Sequence, residues 1–225
     1  MKLSVVIPVY NSHEIVRRQL IHLRSLNLPV EIIIVDDGSN PPIEGVSLRM
    51  DSKLAWTQGL ARNAGAKMAT GEYLFMTDID HIISKEALED ALNFTGNKMI
   101  FRRQIAILDE NGEIKQDKET LADWGYTKDN LDASVHGNTF VMRKDVFEGL
   151  GGYDPKTCTI GYHPVSRRGD DCYLNGKWNR KYKKDDLSVG RDIYMFPIGR
   201  FRDDGDLNPK GLFHSLHQRE EKQYK

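Results

Sequence analysis

The chain of 225 residues carries 32 Lys and Arg against 33 Asp and Glu, a formal charge of −1, with 39% hydrophobic and 29% charged residues. That balance excludes a globally basic nucleic-acid binder and an acidic tail protein, and the length is enough for one sizeable core. The longest apolar run, around Ile32 to Val35, falls far short of the roughly 20 residues a membrane helix needs, so no transmembrane segment is predicted.

The N-terminal Met1-Lys2-Leu3-Ser4-Val5-Val6 reads as the start of a strand, without the cleavage pattern of a signal peptide. Residues 3–9 are almost all apolar, as a parallel strand buried on both faces requires, and the run closes at Pro8. Asn11-Ser12 can cap a helix that carries Ile15, Val16, Leu20, Leu23 and Leu26 at helical spacing. A second buried strand follows at 30–35 and stops at Asp36-Asp37-Gly38-Ser39. Strand, helix and strand in that order predict a βαβ unit with parallel strands.

Residues 53–69 read as a helix ended by Thr70-Gly71, residues 72–77 as a third strand, and Ser84 as the cap of a helix through about Asn93. The alternation predicts an α/β fold with an open, mostly parallel sheet. Further on, 99–108 reads as a strand with a hairpin turn at Asn111-Gly112, 116–136 as polar with weak periodicity, and 139–142 as a strand. A short helix at 145–150 ends at Gly151-Gly152, 154–169 is loop-like, and Asp170 to Trp178 can be a helix. No repeat or linker divides the chain. The expectation is a single domain over 1–225, with halves at 1–97 and 98–217 and a charged tail at 218–225. Cys158 and Cys172 make neither a disulfide framework nor a zinc site, and read as free thiols of a reducing compartment: the cytoplasm, free or peripheral to a membrane.

Ligands of an open α/β sheet bind at the carboxyl ends of its strands. Three consecutive strand ends are polar or acidic here: Pro8-Val9-Tyr10-Asn11, Asp36-Asp37-Gly38 and Asp78-Ile79-Asp80. The carboxylates of Asp78 and Asp80, two residues apart past a strand, can face one hard divalent cation such as Mg²⁺ or Mn²⁺. The plainer alternative is a solvated, helix-capping turn.

These segments, with Gly59-Leu60-Ala61-Arg62-Asn63-Ala64-Gly65 and Gly71-Glu72-Tyr73, resemble the nucleotide-sugar half of the family 2 glycosyltransferases, which have the GT-A fold. Gly137-Asn138-Thr139-Phe140-Val141-Met142 and Gly151-Gly152-Tyr153-Asp154 resemble the acceptor half, in an arrangement similar to the β-1,4-galactosyltransferase-like branch. The resemblance implies that Pro8, Tyr10, Asn11 and Asp37 contact the nucleotide, Asp37 accepting a hydrogen bond from the base. It implies that Arg62 and Asn63 lie near the sugar-diphosphate, although Arg62 also suits a surface helix position. Asp78 and Asp80 would hold the metal, Asp80 more directly.

Gly169-Asp170-Asp171 is similar to the family's Gly-Glu-Asp, with Asp for Glu. Asp171 then aligns with the catalytic base and Asp170 with the acceptor-contacting residue, and a register slip of one would make Asp170 the base. A plain helix N-terminus would also favour these acids. The preceding Ile160-Gly161-Tyr162-His163-Pro164 departs from the Trp-Gly-rich loop of the galactosyltransferases. His217, or His214 three residues earlier, resembles the family's late metal-ligating histidine.

Lys177-Trp178-Asn179-Arg180-Lys181-Tyr182-Lys183-Lys184 suits an anionic acceptor or membrane surface, or a solvated helix end balanced by Asp185-Asp186. The loops 155–169 and 203–212 are natural lids. The resulting expectation is a metal-dependent, inverting transfer from a nucleoside-diphosphate sugar, UDP-linked, to a hydroxyl of a glycan or other polymer. The alternatives are a sugar nucleotidyltransferase, which residues 8–14 do not favour for want of a Gly-rich basic loop, and an inactive binding module.

Overall fold

The computed structural model of the chain describes residues 2–50, 57–158, 170–197, 200–201 and 205–206. In chain order the elements are β1 (Leu3–Val9), α1 (His13–Ser25), β2 (Val30–Asp36), β3 (Leu48–Arg49), α2 (Gln58–Met68), β4 (Tyr73–Met76), β5 (His81–Ile82) and α3 (Lys85–Asn93). Then come β6 (Lys98–Ile105), β7 (Ile107–Leu108), β8 (Ile114–Lys115), α4 (Lys118–Asp123), β9 (Asp132–Ala133), β10 (Phe140–Arg143) and α5 (Lys144–Gly149). The last are α6 (Pro155–Cys158), α7 (Asp170–Lys181), β11 (Leu187–Met195), β12 (Arg200–Phe201) and β13 (Gly205–Asp206).

The main sheet runs β3-β2-β1-β4-β10-β6-β11-β5, with β9 on β6. Strands β2, β1 and β4 are parallel, so β1 sits at the centre and is buried along its whole length. Its side chains alternate: Leu3, Val5, Ile7 and Val9 pack with Val16, Leu23, Ala87 and Leu88 of α1 and α3. Val6 faces the other way, with Ala61 and Ala66 of α2, Phe147 of α5 and Trp178 of α7. Pro8 stays within β1, opposite Val35 of β2. It is tolerated there because β4 pairs with β1 only as far as Val6, so no ladder on that side loses a donor.

The chain leaves the parallel rule at β10, which is antiparallel to both β4 and β6. Phe140 pairs with Met76, so the residues just before β10 lie at the carboxyl end of β4. Strand β6 therefore points the same way as β4, and its carboxyl end reaches that crevice too. The chain winds from β1 out to β2 and β3, then returns to β4 on the other side. The switch point between β1 and β4 is where an open sheet leaves room for a ligand.

Most elements lie where the residue pattern predicts them. Ser84 caps α3, its hydroxyl accepting from the Ala87 amide at 3.1 Å. Three readings change. Residues 99–108 are two strands: β6 follows β11, while β7 turns away at Ala106 to pair with β8. The Asn111-Gly112 turn joins that hairpin, with Gly112 at φ 78. The polar stretch 116–136 contains α4, anchored by Leu121 and by Trp124 at 1% exposure. The loop read from 154 begins with α6, and residues 159–169 lie outside the described ones. Strand β11 carried no expectation, because its burial pattern has no clean alternation.

Helix α2 lies on the sheet through Gly65. A Cβ there would stand 2.4 Å from Val6 Cγ1 and 3.1 Å from Val35 Cγ2. Gly65→Ala gains about 1 kcal/mol of helix propensity, but it overpacks two stiff β-branched side chains at a cost of about 1–3 kcal/mol. We expect a net loss, read as a lower urea midpoint with an unchanged m-value; a midpoint at or above wild type would mean the helix can lift off the sheet.

Candidate active site

At the end of β1 and β2 the chain makes two polar turns. Asn11 sits at φ 46, its amide donating to Ser39 Oγ at 2.8 Å and its Oδ1 accepting from the Asn40 amide at 2.7 Å. Tyr10 is buried beside it at 7% exposure. Asp36 closes the turn: its oxygens accept from the Ser39 and Ile43 amides at 2.8 and 3.1 Å and pair with Arg49. Burial works to raise its pKa, and these hydrogen bonds hold it below the usual carboxylate range. Asp37 differs. Its amide donates to Val9 O at 2.8 Å, and its carboxylate accepts the hydroxyl of Thr57, just before α2. Of the two acids, Asp36 braces the loop and Asp37 lies over the β1 end.

The second wall is built from three separate segments. Asp78 follows β4; its Oδ1 accepts from Arg62 of α2, and its Oδ2 lies 3.0 Å from His136 Nδ1. The Arg62 side chain is at 0% exposure, which excludes a surface helix position, and its guanidinium lies 5.6 Å from the Tyr153 ring centroid. Burial works to raise the Asp78 pKa, but Arg62 and then His136 overcome it and keep the carboxylate ionised well below its ordinary range. Burial likewise works to lower the His136 pKa, and Asp78 outweighs it, so the imidazole is raised above its ordinary value.

Among the described residues Asp80 makes no such ion pair. Burial first, then the Asp78 charge, push it up to about 6. Asp80 also places its backbone oxygen on the Phe196 amide at 2.9 Å, which ties the motif to the end of β11.

His81 is buried at 1% exposure and kept neutral, its pKa held down to about 3 chiefly by burial. Its Nε2 lies 2.7 Å from Arg103 Nη1 and its Nδ1 2.6 Å from Thr139 Oγ1. A guanidinium can only donate, so Nε2 accepts and Nδ1 carries the proton. Ligand atoms of Asp78, His81 and His136 all lie within 4.8 Å of one another, the dimensions of a cation site. The lone pair of His81 is engaged by Arg103, however. The donor set that fits an ion is therefore Asp78 and His136, with Asp80 two residues after Asp78. His136 was not singled out from the residue pattern, because only the antiparallel return of β10 brings it to Asp78.

The remaining expected residues fall into place unevenly. Asn63 commits its carboxamide to the backbone of Tyr153, accepting at 3.0 Å and donating at 2.8 Å; it brackets the Gly152-Tyr153 turn. Asp171 stands in the first turn of α7. Its Oδ2 is 2.6 Å from where a Cβ on Gly137 would be, so the absence of a side chain at 137 lets this carboxylate close onto the His136 segment. Its Oδ1 accepts from the Cys172 amide at 2.7 Å. The Asp170 side chain, His214 and His217 lie outside the described residues, as does most of 203–212.

In the basic run, α7 continues to Lys181. Trp178 is buried at 3% exposure and stacks on Tyr182 at 4.2 Å, so the core uses the aromatic pair. Arg180, Lys181, Lys183 and Lys184 are exposed. Among the described residues no helix is long and apolar enough to cross a membrane.

Comparison with known proteins bears on this arrangement. The chain is 32% identical over 107 residues to the poly(ribitol-phosphate) beta-N-acetylglucosaminyltransferase TarS of Staphylococcus aureus, covering 42% of this chain and 19% of that protein. It is 35% identical over 109 residues to a poly(ribitol-phosphate) beta-glucosyltransferase of Bacillus spizizenii, covering 42% of this chain and 17% of that protein. It therefore spans less than a fifth of the length of either relative. The crystal structure of S. aureus TarS superposes with a TM-score of 0.56 at 19% identity, over 87% of this chain and 37% of that chain, a likeness of fold. The sequence model of glycosyl transferase family 2 matches residues 4–151, from β1 to the turn after α5. With more than half of its length inside that match, and with the same mixed sheet, the chain belongs to glycosyl transferase family 2 and has the GT-A fold.

Proposed function

We propose that this chain transfers a sugar from a UDP-sugar to a hydroxyl group of a glycan or polyol-phosphate polymer, with inversion at the anomeric carbon. One observation carries the reading: the carboxylate of Asp171 lies against Gly137, the residue that follows His136, whose imidazole pairs with Asp78 at the end of β4. The names of the two relatives support N-acetylglucosamine or glucose as the first sugars to test, and a ribitol-phosphate polymer as the first acceptor.

Each residue then has a task. Asp37, braced by Thr57, accepts a hydrogen bond from the nucleotide base, and the Tyr10–Asn11 turn covers the nucleotide. Asp80 and His136, with Asp78, hold the divalent ion. Mixed carboxylate and imidazole donors suit Mn²⁺ better than Mg²⁺. When bound, such an ion supplies the positive charge that neutralises the leaving diphosphate. Arg62 balances Asp78 in the absence of any ligand, so the site is not left with an uncompensated buried charge. Asp171 removes the proton of the attacking hydroxyl as the new glycosidic bond forms and the bond to the diphosphate breaks. A single displacement of that kind needs one base and no covalent intermediate.

Three outcomes follow. In thermal-shift titration, UDP with Mn²⁺ should raise the melting temperature, by about 2.7 kcal/mol of stability at a hundred times its Kd, and both EDTA and Asp80→Ala should abolish the rise. Silence from UDP, GDP, CDP and dTDP alike would sink the donor reading. Asp171→Asn should lower turnover of UDP-N-acetylglucosamine or UDP-glucose by about 10²–10⁴-fold with UDP affinity unchanged, whereas loss of UDP binding would show a donor-site role instead. Arg62→Leu should destabilise the fold by about 3 kcal/mol in urea, because it strands Asp78, and Asp78→Asn should recover much of that loss. Independent, additive effects would mean that the pair is not coupled.

A further inference from the structure

Lys98 opens β6 and is buried at 3% exposure. Among the described residues it has no carboxylate partner. Its Nζ instead lies 5.0 Å from the Phe140 ring centroid and 5.3 Å from that of Trp178, and it donates to Asn175 Oδ1 at 2.6 Å. Burial pushes its pKa down to about 8, the mark of a cation in an unfavourable place. A neutral, unbranched side chain of the same length would fill the aromatic cage at less cost. The ammonium therefore has a use other than filling space.

That use is visible one bond further on. An ammonium can only donate, so the Asn175 oxygen must face Lys98 and its Nδ2 must face away. Nδ2 donates to the Gly137 carbonyl at 3.3 Å. Asn175 lies one turn after Asp171 on the same face of α7. The Asp171 carboxylate and the Asn175 amide both crowd the bare α-carbon of Gly137, at 2.6 and 3.0 Å from the position of a Cβ. Below them, among the described residues of α7, Leu174 and Trp178 alone are buried, two apolar anchors that give no directional register to the helix.

We infer that Lys98 is a positioning residue: by fixing the orientation of the Asn175 carboxamide it locks α7 onto Gly137, and so sets where Asp171 stands relative to His136 and Asp78. The inference rests on the reading of Asp171 as the base. Misplacement of a reacting group by about 1 Å costs on the order of 10²-fold in rate, so the lock matters to turnover far more than to folding.

The test compares wild type with Lys98→Met, Asn175→Leu, Asp171→Asn and the double variant Lys98→Met/Asp171→Asn. Lys98→Met should melt at or above the wild-type temperature and bind UDP unchanged. Amide hydrogen exchange across residues 171–178 should nevertheless quicken by about tenfold or more, and Asn175→Leu should reproduce this. With UDP-N-acetylglucosamine and Mn²⁺, and water or a ribitol-phosphate oligomer as acceptor, Lys98→Met should lose about 10–100-fold in kcat with KM for the donor unchanged. In the Asp171→Asn background the same change should cost nothing more, because the residue it positions has lost its function. Unchanged exchange in both Lys98→Met and Asn175→Leu would overturn the inference, as would an equal loss of turnover in the two backgrounds. If Asp171→Asn alone keeps wild-type turnover, it is the base assignment that fails, and the exchange measurement still decides whether Lys98 holds α7.

Discussion

The antiparallel pairing of β10 with β4 governs this molecule. Four residue pairs, from Phe140–Met76 to Arg143–Tyr73, join the parallel β2-β1-β4 part of the sheet to β10 and the strands beyond it. A parallel strand in that position would carry residues 136–139 to the far end of the sheet. The antiparallel one returns them to the carboxyl ends of β1 and β4, where the acidic turns are. His136, Thr139 and Gly137 then meet Asp78, His81 and Asp171 respectively.

Around that junction the charges are arranged unequally. Asp78 is held ionised between Arg62 and His136, while Asp80 beside it has its pKa raised by burial and by its neighbour. A pair of carboxylates two residues apart cannot both be charged cheaply in a half-buried cleft. The protein resolves this by placing a guanidinium from α2 under one of them, while burial and the Asp78 charge raise the pKa of the other. Arg103 serves in a related way: it engages His81 and also donates to Ser134 O at 2.5 Å, so the segment leading to His136 is tied down from behind.

Among the described residues, the helix that carries Asp171 packs on the core through Leu174 and Trp178 and is joined to β6 by a polar relay. Most of the core is sealed by β-branched and aromatic side chains whose positions follow from close packing. Helix α7 is different, because its inner face beside Gly137 is polar, with Asp171 and Asn175 one turn apart. Directional hydrogen bonds replace packing there, from Lys98 through Asn175 to Gly137.

Much of this was legible from residue pattern. The continuous apolar runs of β1 and β2 can be satisfied only by strands covered on both faces, and helical periodicity placed α1 and α3. The Asp78-Ile79-Asp80 turn could be placed at a strand end for the same local reason. What local pattern could not supply was any pairing between distant segments. Arg62 looked equally like a surface position, because burial of a guanidinium depends on an aspartate 16 residues away. Asn63 looked like a ligand residue, and its carboxamide is taken by a turn 90 residues away. His136 carried no spacing signal at all, and Lys98 carried none either. The sequence by itself determined the parallel βαβ half and the acidic strand ends, since period, capping and turn chemistry act over a few residues. Only the tertiary structure decided which side chains share the cleft, because that follows from the direction in which β10 returns through the sheet, a choice made by long-range pairing and packing.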